Sequence, residues 1–135
     1  MSRILIVEDD PDILQTVARL LEASGHTVLR ARNGREGLAQ AQKEQPDLVL
    51  TDLMLPFLSG YEICTMLKQD VRYQKIQVIV WSATKIRETD AQLAKDCGAD
   101  DFIVKTASPR EMVARINAHL GWSAPTKTST GPSAT

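Results

Sequence analysis

The chain lacks most of the features that would identify a site by composition alone. Formal net charge is only −1, with acids and bases interspersed, so no basic surface points to nucleic acid and no acidic tail to a solvating segment. There are only two cysteines, Cys64 and Cys97, far apart and without metal-ligand spacing. They read as free thiols that only pack, in a reducing compartment, the cytoplasm. Near the N-terminus a short apolar run, Ile4-Leu5-Ile6-Val7, is broken at once by Glu8, Asp9 and Asp10, so neither a signal peptide nor a membrane span is expected. No glycine-rich loop follows that run. The sequence Glu8-Asp9-Asp10-Pro11 would repel an anion, which disfavours a nucleotide or flavin site. Nothing around His26 or His119 suggests a metal or phosphohistidine site, and both read as surface or helix-end residues.

What is present is one domain's worth of chain, 135 residues, enough to bury a single core. Its centre is the stretch from Gln45 to Gly60. Pro46 and Asp47 open an apolar run, Leu48-Val49-Leu50, that ends at Thr51 and Asp52. This reads as a buried strand delivering a carboxylate to its tip. The same alternation recurs along the chain. Residues 3–7 form a first strand, and Asp10-Pro11 caps a helix carrying Ile13, Leu14, Val17, Leu20 and Leu21 until Gly25. Thr27 to Ala31 form a second strand, and a capping-box pattern from Asn33 to Glu36 opens a helix that Pro46 limits. Ser59 and Glu62 form another capping box, ahead of a helix with Ile63, Met66 and Leu67 on one face. Residues 76–81 are a fourth strand ending at Ser82. Ile86, Leu93, Ala94 and Cys97 support a fourth helix closed by Gly98. Phe102-Ile103-Val104 is a fifth strand ending at Lys105, and Ser108-Pro109-Arg110-Glu111 starts a fifth helix with Met112, Val113, Ile116 and Leu120.

Five βα units predict an α/β fold, a doubly wound parallel sheet with right-handed crossovers. A flavodoxin-like strand order, 2-1-3-4-5, would put strands 1 and 3 side by side at the switch point. Residues 1–121 are expected to form this domain. Residues 122–135, rich in Ser, Thr, Pro, Gly and Ala, read as a disordered tail or linker stub.

With strands 1 and 3 adjacent, Glu8 and Asp9 share a crevice with Asp52. A like-charge pair at about 4 Å costs roughly 4 kcal/mol at an effective dielectric near 20. Either a proton or a cation must compensate, and an all-oxygen set suits Mg²⁺, or Mn²⁺, better than zinc. Strands 4 and 5 add the Ser82 hydroxyl and the Lys105 ammonium. A cation-screened Asp52 could attack a phosphoryl group while Ser82 and Lys105 stabilise the transferring oxygens, leaving an aspartyl phosphate.

Four segments in this order, Ile-Leu-Ile-Val-Glu8-Asp9-Asp10, Asp52-Leu-Met-Leu-Pro56-Phe-Leu-Ser-Gly60, Trp-Ser82-Ala83 and Gly98-Ala-Asp-Asp-Phe102-Ile-Val-Lys105, resemble the receiver domain of two-component response regulators over about residues 3 to 120. The resemblance is to the chemotaxis-regulator-like single domain. It implies that Asp52 is the phosphoacceptor and that Asp9, Glu8 (through water), Asp52 and the main-chain carbonyl of Met54 hold Mg²⁺. Ser82, the Ala83 main-chain amide and Lys105 would contact the phosphate, and Ser82 and Phe102 would be the switch pair. Met54 and Thr84 match two variable positions that influence phosphoryl lifetime. Neither offers a water-activating group, which implies a persistent mark. Thr106 stands where the family usually has a proline after the lysine, often through a cis peptide. A non-proline cis bond costs about 3 kcal/mol, so a trans or strained loop is expected here.

The implied donor is a sensor histidine kinase or a histidine phosphotransfer protein. The implied output surface, for a separate protein or a fused domain, is the face formed by the fourth helix, fifth strand and fifth helix. A Mg²⁺ phosphohydrolase with an aspartyl nucleophile is disfavoured because Met54 stands where its second acid would be, so the chain reads as a signalling receiver and not an enzyme. A receiver-like binding module independent of phosphorylation is the alternative. No DNA-reading helix set follows residue 120, so direct nucleic-acid binding is not expected. The chain reads as a stand-alone receiver or as a piece of a larger protein.

Overall fold

The computed structural model describes residues 2–55, 57–82, 96–104 and 108–121. Within them the elements run β1 (Arg3–Val7), α1 (Pro11–Ala23), β2 (Thr27–Ala31), α2 (Gly34–Glu44), β3 (Leu48–Asp52), α3 (Gly60–Lys68), β4 (Gln77–Ser82), β5 (Asp101–Val104) and α4 (Pro109–His119). All strand pairs are parallel, in the order β2-β1-β3-β4-β5. The expected doubly wound sheet is therefore what the chain forms. Most of the helix expected between Ile86 and Cys97 lies outside the described residues, as do Ala83, Thr84, Lys105, Thr106 and residues 122–135. No helix among the described residues is long and apolar enough to cross a membrane.

The local signals that start each helix are visible as hydrogen bonds. Asp10 accepts from the N–H groups of Asp12 and Ile13 at 2.9 and 3.3 Å, with Pro11 at the first helical position. Ser59 and Glu62 form the full reciprocal box, at 3.2 and 3.0 Å. The box expected at α2 forms only in half. Asn33 accepts from Glu36 N–H at 2.8 Å, but the Glu36 carboxylate reaches one residue further back, to the Arg32 N–H at 2.8 Å. Gln45 closes α2 in the left-handed region, φ 45°, directly before Pro46.

Alternation along the buried strands divides the core into two layers. Leu5, Val7, Val49, Val78 and Val80 face α2 and α3, where they meet Leu38, Ala41, Ile63, Cys64 and Leu67. Ile4, Ile6, Leu48, Leu50, Ile79 and Trp81 face α1 and α4, where they meet Leu14, Val17, Leu21, Met112 and Ile116. All five β3 residues are buried, as expected of a central strand covered on both faces. Truncating one such side chain, for instance Leu50→Ala, would cost about 2–5 kcal/mol.

One assignment from the sequence is corrected. His26 is not a surface residue. It is buried just before β2, and its Nε2 lies 2.6 Å from Asn117 Oδ1 on α4. The imidazole is tolerated in the core because a buried polar group with a hydrogen-bond partner avoids most of its desolvation cost. His119, in the last turn of α4, is partly buried against Asp101.

Candidate functional site

Register determines which side chains meet at the carboxyl end of the sheet. Val7 pairs with Thr51, so Glu8, the residue directly after β1, comes level with Asp52. Asp52 pairs with Trp81, and Ser82 with Val104, so Ser82 ends β4 one residue beyond the partner of Asp52. One carboxylate oxygen from each of Glu8, Asp9 and Asp52 lies within 4.8 Å of the others. Glu8 and Asp52 are almost wholly buried, 1% and 7% exposed, whereas Asp9 is exposed. Two ionised carboxylates at that separation repel by about 3 to 4 kcal/mol at an effective dielectric near 20, and the exposed Asp9 is screened further by water.

Main-chain contacts hold these acids in place. Glu8 N–H donates to Ala31 O at 3.0 Å, and a Glu8 carboxylate oxygen accepts from Asp10 N–H at 3.1 Å. Asp52 Oδ1 accepts from Met54 N–H at 3.3 Å, and the Met54 side chain points outward, 74% exposed. Leu53 N–H donates to Trp81 O and Gly60 N–H to Leu53 O, both at 2.9 Å. A Cβ on Gly60 would lie 2.5 Å from the Asp52 carbonyl oxygen, so α3 can start this close to the Asp52 backbone only with glycine there. The loop between them also leans on α2. A Cβ on Gly34 would lie 2.1 Å from Leu58 O, and the Arg35 guanidinium lies 5.0 Å from the centroid of the Phe57 ring.

Of the residues singled out from the sequence, the fold brings Glu8, Asp9 and Asp52 into one cluster. Met54 follows at its edge and Ser82 lies at the adjacent strand tip. Phe102 is partly buried on β5, packed on the α2/α3 side of the core and paired in register with Val80, two residues before Ser82. Ala83 and Lys105 lie outside the described residues. Mg²⁺ fits the cluster on the chemistry of its donors, which are all carboxylate oxygens; zinc would favour nitrogen or sulfur.

Two groupings escaped the sequence reading. Asp101, at the start of β5, accepts from the Arg115 guanidinium and lies 3.0 Å from His119 Nε2. Burial pushes its carboxyl up, but hydrogen bonds from His119, the Phe102 N–H and Arg115 outweigh that and hold it below the usual carboxylate range. Arg115 and His119 are four apart on α4, the spacing of one helix face, which was the available signal. The second grouping is Cys64 with Cys97: the Cys64 thiol meets the Cys97 carbonyl oxygen although the residues are 33 apart. No local pattern announces that meeting.

The model of the response regulator receiver domain matches residues 4–117. This chain belongs to the response regulator receiver family. The receiver is 40% identical to protein PilH of Pseudomonas aeruginosa over 120 residues, 89% of this chain and 98% of PilH. It is 41% identical over 120 residues to the alkaline phosphatase synthesis transcriptional regulatory protein PhoP of Bacillus subtilis, 88% of this chain. There it spans only 48% of the relative's length. A CheY-like response regulator receiver domain protein from Methanospirillum hungatei superposes with a TM-score of 0.83 at 30% identity, covering 90% of this chain and 94% of that one. Receiver domains are signalling modules that generally bind Mg²⁺ at an acidic pocket, and this receiver has such an acidic cluster in Glu8, Asp9 and Asp52.

Proposed function

We propose that this receiver is a phosphorylation-dependent switch in which Asp52 accepts a phosphoryl group from a phosphohistidine of a sensor histidine kinase or a histidine phosphotransfer protein. The observation that carries the reading is the convergence of Glu8, Asp9 and Asp52 within 4.8 Å at the tips of β1 and β3. In the reaction an Asp52 carboxylate oxygen forms a bond to phosphorus as the phosphorus–nitrogen bond of the donor breaks, and the imidazole leaves with its electron pair and is protonated. Glu8, Asp9, Asp52 and the Met54 main-chain carbonyl are the candidates to hold Mg²⁺, or Mn²⁺ in its place. The bound cation would screen the carboxylates and offset charge on the transferring oxygens. The Met54 N–H fixes the orientation of the Asp52 carboxylate. Ser82, the Ala83 main-chain amide and Lys105 are assigned to the phosphate oxygens, with Thr106 in the place of the family's usual proline.

Ser82 and Phe102 are assigned as the switch pair. They stand on one face of neighbouring strands, two register positions apart. Moving a population from 1:99 to 99:1 requires about 5.5 kcal/mol of differential interaction, which the Ser82 hydroxyl and Phe102 would supply between the two states. The output contact is assigned to the side of β5 and α4, which with the fourth helix expected from the sequence is the face the family resemblance implies. The receiver unit is residues 1–121 and acts in the cytoplasm through protein contacts, without binding nucleic acid or membrane itself. It promotes its own phosphorylation and dephosphorylation and turns over no separate substrate.

The test is intact-protein mass after incubation with acetyl phosphate and Mg²⁺, beside Asp52→Ala and a sample held in EDTA. A single phosphoryl adduct that requires both the metal and Asp52 is expected. If neither that adduct nor beryllofluoride binding is seen, the chain is a receiver-like module whose contacts do not depend on phosphorylation.

A further inference from the structure

Away from the acidic tip, α3 and the turn that opens β5 are joined by a second set of contacts. Lys68 Nζ lies 2.9 Å from an Asp100 carboxylate oxygen and donates to Ile76 O at 2.7 Å. Four residues earlier on α3, the fully buried Cys64 donates its S–H to the Cys97 carbonyl oxygen at 3.4 Å. That contact sets Cys64 directly against Cys97 in the turn before β5. Both sulfurs belong to the α2/α3 core layer, and Cys97 lies at its margin, 9% exposed, within reach of a small oxidant.

The two thiols are chemically unequal. The Cys64 hydrogen bond lowers the Cys97 thiol to about 7, against the opposing effect of burial and with help from the main-chain N–H groups of Ala99 and Cys97. Cys64 is pushed the other way, chiefly by the same hydrogen bond and by burial. Cys97, at the margin of the layer, is the thiol a peroxide can reach, and the wholly buried Cys64 against it is placed to resolve the oxidised sulfur.

We propose that Cys97 and Cys64 form an oxidant-sensitive pair, in which a hydroperoxide converts the contact between α3 and the turn before β5 into an intramolecular disulfide. In the first step the Cys97 thiolate attacks one peroxide oxygen, the O–O bond breaks, and the hydroxide released takes a proton to become water. Cys97 is then a sulfenic acid. In the second step Cys64 sulfur attacks Cys97 sulfur, the S–O bond breaks, and the departing hydroxide takes the Cys64 proton. Two thiols are oxidised by two electrons and one hydrogen peroxide is reduced to two waters. The bridge encloses β4 with Ser82, so oxidation fastens together the elements on either side of that strand. Glutathione or thioredoxin would reverse it, as suits a transient disulfide in a reducing compartment.

The experiment uses the full chain, reduced, desalted and treated with hydrogen peroxide before alkylation and intact mass measurement. A monomer lighter by about 2 Da, with no alkylatable thiol, a peptide joining Cys64 to Cys97 and full recovery in dithiothreitol is expected. In Cys64→Ser a dimedone adduct should form on Cys97. In Cys97→Ser the remaining thiol should be lost at least about tenfold more slowly than in Cys64→Ser. The proposal is overturned if wild-type protein keeps both thiols, takes up oxygen without joining them, or forms only intermolecular dimers. Equal rates in the two variants would remove Cys97 as the attacking group. The wild-type result stands whether or not either variant folds.

Discussion

Two groups of ionisable side chains sit at opposite ends of the sheet, one at the tips of β1 and β3 and one at the start of β5, and they are built on opposite rules. At the tips of β1 and β3, Glu8, Asp9 and Asp52 bring three like charges within 4.8 Å. At the start of β5, Asp101 has the Arg115 guanidinium, the His119 imidazole and the Phe102 N–H around it. The second arrangement strengthens the attachment of α4 to the sheet. The first weakens the fold whenever the acids are ionised, so its presence in a buried crevice is explained by what it can bind. Charge placement thus sets the two groups apart: like charges converge at the tip, and opposite charges surround Asp101.

That contrast can be broken experimentally, and the largest effect belongs to the tip. Without divalent cation, Asp52→Asn should unfold at higher urea concentration than wild type, by about 1–3 kcal/mol, because one of the repelling charges is gone. Mg²⁺ at about 100 times its Kd should stabilise wild type by about 2.7 kcal/mol and Asp52→Asn by much less. Urea titrations in EDTA and in Mg²⁺ check both statements. If the variant were less stable than wild type in EDTA, the tip would be a structural cluster after all.

At the other end the sign reverses. Asp101→Asn should lose about 1–2 kcal/mol at neutral pH, since Arg115 and His119 lose a charged acceptor. The Asp101 carboxyl is held below its usual range in the folded state, so as pH falls the unfolded chain takes up the proton first. Its contribution is therefore fully present above the ordinary carboxylate pKa, near 4, and is lost as pH falls through the depressed value. Unfolding midpoints measured from pH 7 downward should fall less steeply for Asp101→Asn than for wild type. The smallest effect sharpens the comparison from outside. Arg72 and Asp70 also pair, at 2.8 Å, but with the Arg72 side chain largely exposed, and Arg72→Ala should leave the midpoint unchanged within error.

How much of this was legible in the sequence follows from how far each signal acts. The capping residues Asp10, Ser59 and Ser108 and the apolar runs of β1, β3 and β4 are local, and the elements stand where those signals put them. The strand order was a fold-level inference from five alternating βα units, because periodicity carries no information on which strands are neighbours. Once that order holds, register alone brings Glu8, Asp9 and Asp52 together. The misreadings are long-range. His26 looked like a surface residue because its polarity is local information, while the partner that lets it be buried, Asn117, is 91 residues away. Cys64 and Cys97 are free and buried as expected, and only their contact, 33 residues apart, went unseen for the same reason. The Asn33–Glu36 box was half right because a glutamate three residues on can reach either of two neighbouring N–H groups, and side-chain reach is not encoded in spacing.

Trp81 has an optical consequence. Its indole is buried in the α1/α4 layer, its backbone pairs with Asp52, and its carbonyl receives the Leu53 N–H. The chain thus carries a fluorophore one strand away from the carboxylate of interest and next to Ser82. With the second tryptophan removed as Trp122→Phe, emission from this one ring should respond as Mg²⁺ or beryllofluoride is titrated, and a stopped-flow trace would time events at the strand tips without any added label.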